Sequence, residues 1–497
     1  MMQHAPVMIV LLPVSAALLC MLFSRISKNL GSWIVIASIF GAFISAVMAL
    51  QQVIAKNGAP LHYWMGGWQP PIGIEFVIDP LSGILAVLIT FISLMVAIYS
   101  RPFVKDEDWL HIGGYYTLFG LMTVGMCGMV ITGDVFNLYV YLEVMSLSGY
   151  GLIALGGKKS MLAAFRYLLI GTIGASLYLL GVGYMYAMTG TLNMADMAAL
   201  AAGHLHSPLF AMAVGCFVIG FGIKMALFPL HGWQPDAYTY AHPGAAALIA
   251  GIMSKIPSYA MIRFLFYMFK VDNPVVSSAL NVLGIMGVAG ILIGSIMALA
   301  QYDFRRMLAY SSVAQIGYIA IGLAMGNMYG FIGAVLHIIN HAFMKSALFL
   351  VIGGIEYRFG EVNLYRLGGL NKKMTISTIT VTLAALSMIG LPPTAGFFSK
   401  WYLLLGAYTG AQYFYIAVLV ISSLLNAIYF FRILEQMFIQ REASLTEVHR
   451  HKGKLGLPVE MAIPIFVVGI GILALGFYSV DIVTDIIKIG LPEVFLR

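Results

Sequence analysis

Apolar residues fill long stretches of this chain, and polar residues gather in the short stretches between them. Each stretch is apolar on every side for about 20 residues, the length that a helix needs to cross a bilayer. A transmembrane β-strand would instead alternate apolar and polar residues. The pattern therefore predicts an all-α, polytopic membrane protein of about 14 transmembrane helices, with spans starting near residues 5, 31, 76, 110, 135, 162, 208, 241, 276, 307, 327, 374, 411 and 458.

Prolines interrupt two of these spans beside a lysine. Span 7 contains FGIKMALFPLHG, residues 221–232, and span 12 contains GLPPTAGFFSKW, residues 390–401. A proline inside a helix removes a backbone hydrogen bond, which a membrane tolerates only where protein or water satisfies the freed groups. The two broken helices are five spans apart, as two inverted five-helix repeats, helices 4–8 and 9–13, would place them.

We expect residues 1–497 to form a single transmembrane domain. Peripheral helices 1–3 would occupy residues 1–109, the first repeat 110–270 and the second repeat 271–440. A cytoplasmic loop, helix 14 and the C-terminal tail would follow in residues 441–497. Because the hydrophilic connections are short, we expect no folded domain outside the membrane, and any soluble chemistry would belong to partner chains.

Composition and charge agree with a membrane protein. Only 9% of the 497 residues are charged, against roughly 25% in a soluble domain, which excludes a water-soluble enzyme. The net charge of +7 is scattered between spans and forms no basic block, so we expect no nucleic-acid partner. Loops after odd-numbered spans hold sixteen Lys and Arg residues, and the other loops and the tail hold five. By the positive-inside rule, this predicts a multi-pass protein of a prokaryotic cytoplasmic (inner) membrane with both termini on the outer face.

Six further basic residues fall inside spans, and a carboxylate, Glu143, lies in the middle of span 5. A charge at the bilayer centre costs about 2.5–3.5 kcal/mol on insertion scales, so such residues usually mark an ion path. Burial disfavours an ammonium group and a nearby carboxylate favours it, so a changing Lys224–Glu143 separation would make the lysine hold or release a proton. The alternative is a set of structural ion pairs or side chains that snorkel to an interface. The six basic residues are Arg166, Lys224, Lys255, Lys345, Lys400 and Arg432.

Histidines add a second candidate element of the path. His337, His341 and Lys345 are spaced i, i+4 and i+8, on one helical face. The histidine pair suits either zinc or a proton relay, but HIINH lacks the glutamate of HExxH and no third ligand is evident, which favours the relay. His231 and His242, between spans 7 and 8, are either sites of proton uptake at the inner surface or simply solvated.

Few other motifs carry chemistry. Cys20, Cys127 and Cys216 lie inside apolar stretches without a CxxC pair, and no GxGxxG or Walker motif is present. We therefore expect no cofactor and no metal in this chain. Whether it belongs to a redox enzyme assembly stays open.

Six sequence blocks between residues 78 and 432 resemble the antiporter-like subunits shared by respiratory complex I, membrane-bound hydrogenases and Mrp antiporters. The stretches around Glu143 and Thr189 are most similar to the D subunit of Mrp-type sodium/proton antiporters. The blocks are DPLSG from Asp79, GDVFNLYVYLEVMSLSGYGLIALGG from Gly133, the segment from Lys224 to Arg263, DFRRMLAYSSVAQIGYI from Asp303, LHIINHAFMKSALFL from Leu336 and GLPPTAGFFSKW from Gly390.

The resemblance implies roles for particular residues. Glu143, Lys224, Lys255, His337 and Lys400 match the charged and polar positions of the family's proton path. Two positions depart from the family: Tyr238 stands where PDAH is common, and His242 stands where a proline-rich APxP is usual, so His242 would replace the usual site of proton uptake.

The implied function is that of a proton-translocating subunit of a multisubunit Mrp-type monovalent cation (sodium)/proton antiporter, embedded in the lipid bilayer beside other membrane subunits. The alternative is the proton-pumping subunit of a complex I-like redox complex, an NADH-quinone oxidoreductase or a membrane-bound hydrogenase. Protons, and in the first case sodium, would be the transported ions.

Overall fold

The computed structural model describes residues 2–269, 271–360, 363–440 and 456–495. The helices in these ranges are α1 (Ala5–Ile26), α2 (Lys28–Ala55), α3 (Pro80–Val104), α4 (Trp109–Ile131), α5 (Val135–Ala154), α6 (Lys158–Thr189), α7 (Met194–Ala201), α8 (Pro208–Met225), α9 (Gln234–Tyr240), α10 (Pro243–Gly251), α11 (Ile256–Ile262), α12 (Pro274–Leu299), α13 (Phe304–Ala324), α14 (Met328–Phe359), α15 (Leu370–Lys373), α16 (Thr375–Ile389), α17 (Ala395–Thr409), α18 (Tyr413–Phe438), α19 (Val459–Phe477) and α20 (Ser479–Ile482).

Twelve helical segments of the described chain are long and apolar enough to cross a membrane. The 20-residue α5 and the pair α16–α17 occupy the places of the predicted spans 5 and 12. The predicted class, an all-α polytopic membrane protein, is confirmed. Helix α14 is buried along almost its whole length, and α10, α13, α16, α17 and α19 pack around it. The predicted loop at residues 441–455 lies outside the described residues.

Both predicted helix breaks are present, and a third lies between them. Helix α8 ends one residue after Lys224, where Ala226 takes a left-handed conformation with φ of +61°. Helix α16 ends at Gly390, with φ of +93°, and α17, which carries Lys400, begins five residues later. Span 8 is also irregular: α10 ends before Ile252, a short 3₁₀ turn ends at Lys255, and a π turn, Arg263–Met268, follows α11. Each break lies beside one of the buried lysines.

A polar clasp occurs twice and supports the predicted five-helix repeat. In each case an aspartate caps the start of one span, and the next span ends at a glycine with positive φ. The aspartate pairs through its backbone with an asparagine three residues after that glycine. Spans 5 and 10, which carry these aspartates, lie five spans apart and run in opposite directions across the bundle. The residues are Asp134, Gly190 and Asn193 in one clasp and Asp303, Gly360 and Asn363 in the other.

A short hairpin covers one end of the bundle, a feature that the sequence analysis did not predict. Strands β1 (Leu61–Trp64) and β2 (Glu75–Ile78) pair antiparallel, with Leu61 opposite Ile78. Helix α3 begins directly after β2, where Asp79 and Ser82 form a capping box. We call this the hairpin end of the bundle. The other end, at which α4 and α6 begin, is called the opposite end.

Candidate functional site

Lys224 and Glu143 form the first part of a buried charged row. The Lys224 Nζ lies 3.7 Å from the Glu143 Oε1 and donates a 2.7 Å hydrogen bond to the Ser146 hydroxyl, one turn further along α5. The lysine side chain is 1% exposed, whereas the Glu143 side chain is 23% exposed on the outer surface of the bundle. The predicted pair is therefore present, with its positive member inside the protein and its negative member at the edge.

Lys255 lies at the break of span 8. Because α10 ends before Ile252, the carbonyl groups of its last turn are free of helix partners, and the Lys255 Nζ binds that of Ala250. The neighbouring carbonyl, of Ile249, accepts a 3.4 Å hydrogen bond from the Tyr238 hydroxyl. That hydroxyl in turn accepts one of 2.9 Å from Gln234, so a polar pair on α9 lies against the break.

The face of α14 continues the row. Lys345 is fully buried and donates to the Leu308 carbonyl at 2.8 Å and to the Ser311 hydroxyl, both on α13. His337 and His341 lie parallel with ring centroids 5.8 Å apart. Helix α10 packs on α14, and Gly251, four residues before Lys255, lies against the Ser346 side chain of α14. The predicted helical face therefore lies against span 8 close to its lysine.

Lys400 ends the row at the second predicted break. Its Nζ donates to the carbonyls of Met388 and Ile389, each at 2.9 Å, which the end of α16 leaves free. The Nζ also lies 5.1 Å from the centre of the Tyr318 ring, and this ring stacks on His337 at 5.3 Å. Sequence analysis missed Tyr318, which is buried between a histidine and a lysine of the row.

Several buried polar atoms along the row have no hydrogen-bond partner among the described residues. Buried polar groups in native proteins are hydrogen-bonded, and ordered water is the usual partner where protein offers none. The row therefore has the polar lining that internal water requires. The atoms are Glu143 Oε1, Gln234 Oε1, Ser254 Oγ, His337 Nε2, Asn340 Oδ1, Ser346 Oγ and both ring nitrogens of His341.

The two histidines between spans 7 and 8 lie apart from the row. His231 stacks on Phe228, and His242 lies between Phe103 and Tyr115, each ring centroid 5.2 Å away. His242 precedes the first residue of span 8, and burial, assisted by the Arg305 charge, lowers its pKa to about 4. A neutral, aromatic-packed His242 does not resemble a solvated surface group.

Charged residues at the opposite end join the two halves of the bundle. Asp236 of α9 accepts a 2.5 Å hydrogen bond from Arg166 of α6 and lies 3.5 Å from Arg306 of α13. Arg305 pairs with Glu356 at the end of α14. Arg166, one of the six basic residues of the predicted spans, is therefore a partner in an ion pair and not a member of the row.

Arg432 likewise lies outside the row. Its guanidinium donates to the carbonyls of Leu299 and Gln301, at 3.0 and 2.8 Å.

In the parts of the chain that the structure describes, no group of three or more His, Cys, Asp or Glu side chains has the spacing to hold a metal ion. The structure thus places the seven predicted residues in two clusters. One holds Glu143 and Lys224, and the other holds Lys255, the α14 face and Lys400, with the α9 polar pair beside Lys255.

The fold and this row define a class: polytopic membrane proteins with lysine, histidine and glutamate side chains across the middle of a helical bundle. Comparison with known families assigns the chain within it. The profile described as "NADH:quinone oxidoreductase/Mrp antiporter, TM" matches residues 132–426, and that described as "NADH-Ubiquinone oxidoreductase (complex I), chain 5 N-terminus" matches residues 64–112. The chain belongs to the NADH:quinone oxidoreductase/Mrp antiporter transmembrane family.

The relatives include proteins named as oxidoreductase subunits and proteins named as antiporter subunits. The chain is 46% identical to the N subunit of the NADH-quinone oxidoreductase of Desulforudis audaxviator over 99% of each chain. It is 32% identical to the D subunit of the Na(+)/H(+) antiporter of Alkalihalophilus pseudofirmus over 80% of each.

Two solved structures have the same fold. A chain of the archaeal membrane-bound sulfane sulfur reductase complex superimposes with a TM-score of 0.90 at 28% identity, covering 100% of this chain and 98% of that one. A chain of the Mrp complex from Dietzia superimposes with a TM-score of 0.86 at 25% identity, covering 99% and 97%. The resemblance expected from the sequence blocks is confirmed.

Proposed function

We propose that this chain is a proton-translocating subunit of a multisubunit Mrp-type monovalent cation/proton antiporter. The row from Glu143 through Lys224, Lys255, His341, Lys345 and His337 to Lys400 carries the proposal, because buried ionisable groups in a membrane span are costly and usually functional. Each lysine has a hydroxyl or a free helix carbonyl to hold its ammonium group. The similarity to the D subunit of an Na(+)/H(+) antiporter and to a chain of an Mrp complex supports the choice of this assembly.

The path has a direction in this proposal. Protons are taken up from the cytoplasm at the opposite end, pass from Lys224 to Lys255 and the α14 face, and leave near Lys400. The hairpin end faces outward, both termini lie on the outer face, and the membrane is the cytoplasmic membrane of a prokaryote. The basic residues of the loops support this orientation through the positive-inside rule. In the antiporter, proton flow is coupled to sodium export with other membrane subunits.

The test is replacement of Lys224 by alanine in the assembled complex. We expect cation/proton exchange in membrane vesicles to fall to background while the amount of assembled complex is unchanged, because the row loses its charge beside Glu143. Lys105→Ala, at an exposed position beyond α3, is the matched control. Full transport by the Lys224→Ala complex would contradict the proposed role of the row.

A second candidate assembly is a redox-driven proton pump, and two observations favour it. The 46% identical relative is named as part of an NADH-quinone oxidoreductase, and the neighbour with TM-score 0.90 belongs to a respiratory membrane complex. The same row would then translocate protons under the drive of redox chemistry in partner chains. Gentle purification of the tagged chain, with mass spectrometry and an iron assay, separates the two: small hydrophobic partners without iron indicate the antiporter, and stoichiometric iron–sulfur subunits indicate the pump.

A further inference from the structure

One face of span 8 continues from the buried row toward the hairpin end. Lys255, Tyr259 and Arg263 follow at i, i+4 and i+8, over about 12 Å of helix. The Arg263 Nε donates a 2.7 Å hydrogen bond to the Tyr259 hydroxyl, which donates to the Val130 carbonyl at 2.8 Å. Three polar residues therefore share one face of span 8, from Lys255 in the row to the Arg263 guanidinium.

An ion pair lies at the end of that face. Arg263 pairs with Asp79, and its guanidinium lies over the rings of Tyr259 and Tyr267, at 5.2 and 4.6 Å. Asp79 is held in place because it also caps α3 through the Ser82 amide, at 2.8 Å. The pair thus fixes the start of span 3 against the last turns of span 8.

A cavity of about 200 Å³ lies beside this ion pair. Apolar side chains form much of its lining, and the ionisable residues that line it are His62, Glu75, Asp79, Tyr259, Arg263 and Tyr267. Glu75 is 5% exposed and accepts a 2.9 Å hydrogen bond from Asn193, while its second oxygen lies 2.9 Å from the His62 Nδ1. The His62 side chain is 48% exposed. One cavity therefore contains both the half-exposed His62 and the ion pair, with Glu75 beside the histidine.

We propose that this cavity is an outward proton port of the first half of the bundle and that the Asp79–Arg263 pair is its gate. The inference rests on the proposed function. With the pair closed, the guanidinium charge repels protons, and the guanidinium Nε donates its hydrogen bond to the Tyr259 hydroxyl. When Arg263 turns away, that hydroxyl connects the Lys255 side to Asp79 and the cavity.

The lining selects protons over a metal cation. A sodium ion needs several oxygen ligands around it, and here the Arg263 guanidinium already binds the Asp79 carboxylate and the Tyr259 hydroxyl. The ionisable groups that face the gate are Glu75, His62, Tyr259 and Tyr267, and each accepts or donates a proton. The port would give protons a second outward route besides the one near Lys400.

The gate is tested with Arg263→Gln in the whole complex, reconstituted into liposomes with a pH-sensitive dye inside. Glutamine removes the charge, so we expect a downhill proton leak several-fold above wild type without any driving reaction. The leak should disappear in the Arg263→Gln/Lys255→Ala double variant, because protons reach the port through Lys255. A defect in packing alone would leak regardless of Lys255.

Two further variants complete the test. Arg263→Met, which also removes the charge, should leak like Arg263→Gln, and it replaces that variant if the glutamine complex does not assemble. Asp134→Asn removes a carboxylate that caps α5 at the same end and lies outside the gate, so this complex should stay tight. Proton-tight Arg263→Gln and Arg263→Met complexes, or a leak that survives Lys255→Ala or passes sodium, would overturn the gate. Cation/proton exchange by the Lys224→Ala complex, measured in the same liposomes, tests the proposed function separately from the gate.

Discussion

The attraction between Lys224 and Glu143 sets the size of the first prediction. At 3.7 Å and an effective dielectric constant of about 20, two unit charges attract by about 4 kcal/mol. Glu143→Gln keeps the shape and removes the charge, so the state with a charged lysine loses about that much stabilisation. Since 1.36 kcal/mol is a factor of ten, the ratio of charged to neutral lysine falls about a thousandfold. We expect less than a tenth of the wild-type transport rate.

Ser146→Ala gives a graded comparison for the same lysine. It removes the 2.7 Å hydrogen bond to the ammonium group, and a hydrogen bond to a charged group contributes about 1.5–3 kcal/mol. Its loss of transport should therefore be smaller than that of Glu143→Gln. Asp134→Asn, at the start of the same helix, should transport normally because its carboxylate only caps α5.

The assay is the initial rate of proton movement in inverted vesicles, with the assembled complex quantified in the same membranes. A Glu143→Gln complex that assembles and transports within twofold of wild type would refute the electrostatic coupling. A loss of transport equal to that of Ser146→Ala would show that hydrogen bonding, and not the Glu143 charge, stabilises the charged form of Lys224.

Two further predictions concern Lys400 and helix packing. Lys400→Met keeps the length of the side chain but removes the ammonium group that donates to the Met388 and Ile389 carbonyls, so transport should be lost. Lys56→Met, at the end of α2, should have no effect. Unchanged transport in Lys400→Met would contradict the place of Lys400 in the row. Gly125→Ala would put a Cβ 2.5 Å from the Met145 backbone nitrogen and should lower the stability of the complex by about 1–3 kcal/mol, seen as a lower Tm, while Gly183→Ala, with open space around it, should leave the Tm unchanged; equal Tm values would contradict the packing of α4 on α5.

Much of the fold was predictable because a helix that crosses the bilayer must be apolar over about 20 residues. Apolar length alone placed the spans, and prolines beside Lys224 and Lys400 located two breaks. The break at Lys255 was missed because the proline there, Pro257, lies in the first turn of α11, where proline is compatible with a helix. The hairpin was missed because each of its strands has only four residues.

The candidate site was predictable in its charges and less so in its neutral partners. A buried lysine is conspicuous in an apolar span, whereas Ser146, Ser311 and Tyr318 are ordinary residues of helices. Their roles depend on which helix lies opposite, and sequence spacing along one helix does not give that. Arg263 shows the same limit: it was counted among loop residues, but it lies inside span 8 and pairs with Asp79, 184 residues earlier.

The partly exposed Glu143 has a consequence for the life of the protein in the cell. Its side chain reaches the surface of the bundle at the middle of a span, so a lone copy of this chain would present a carboxylate to lipid. That exposure costs a few kcal/mol, a large part of the stability of an ordinary fold. A copy whose neighbouring subunit covers Glu143 would therefore be more stable than a copy that stands alone in the bilayer.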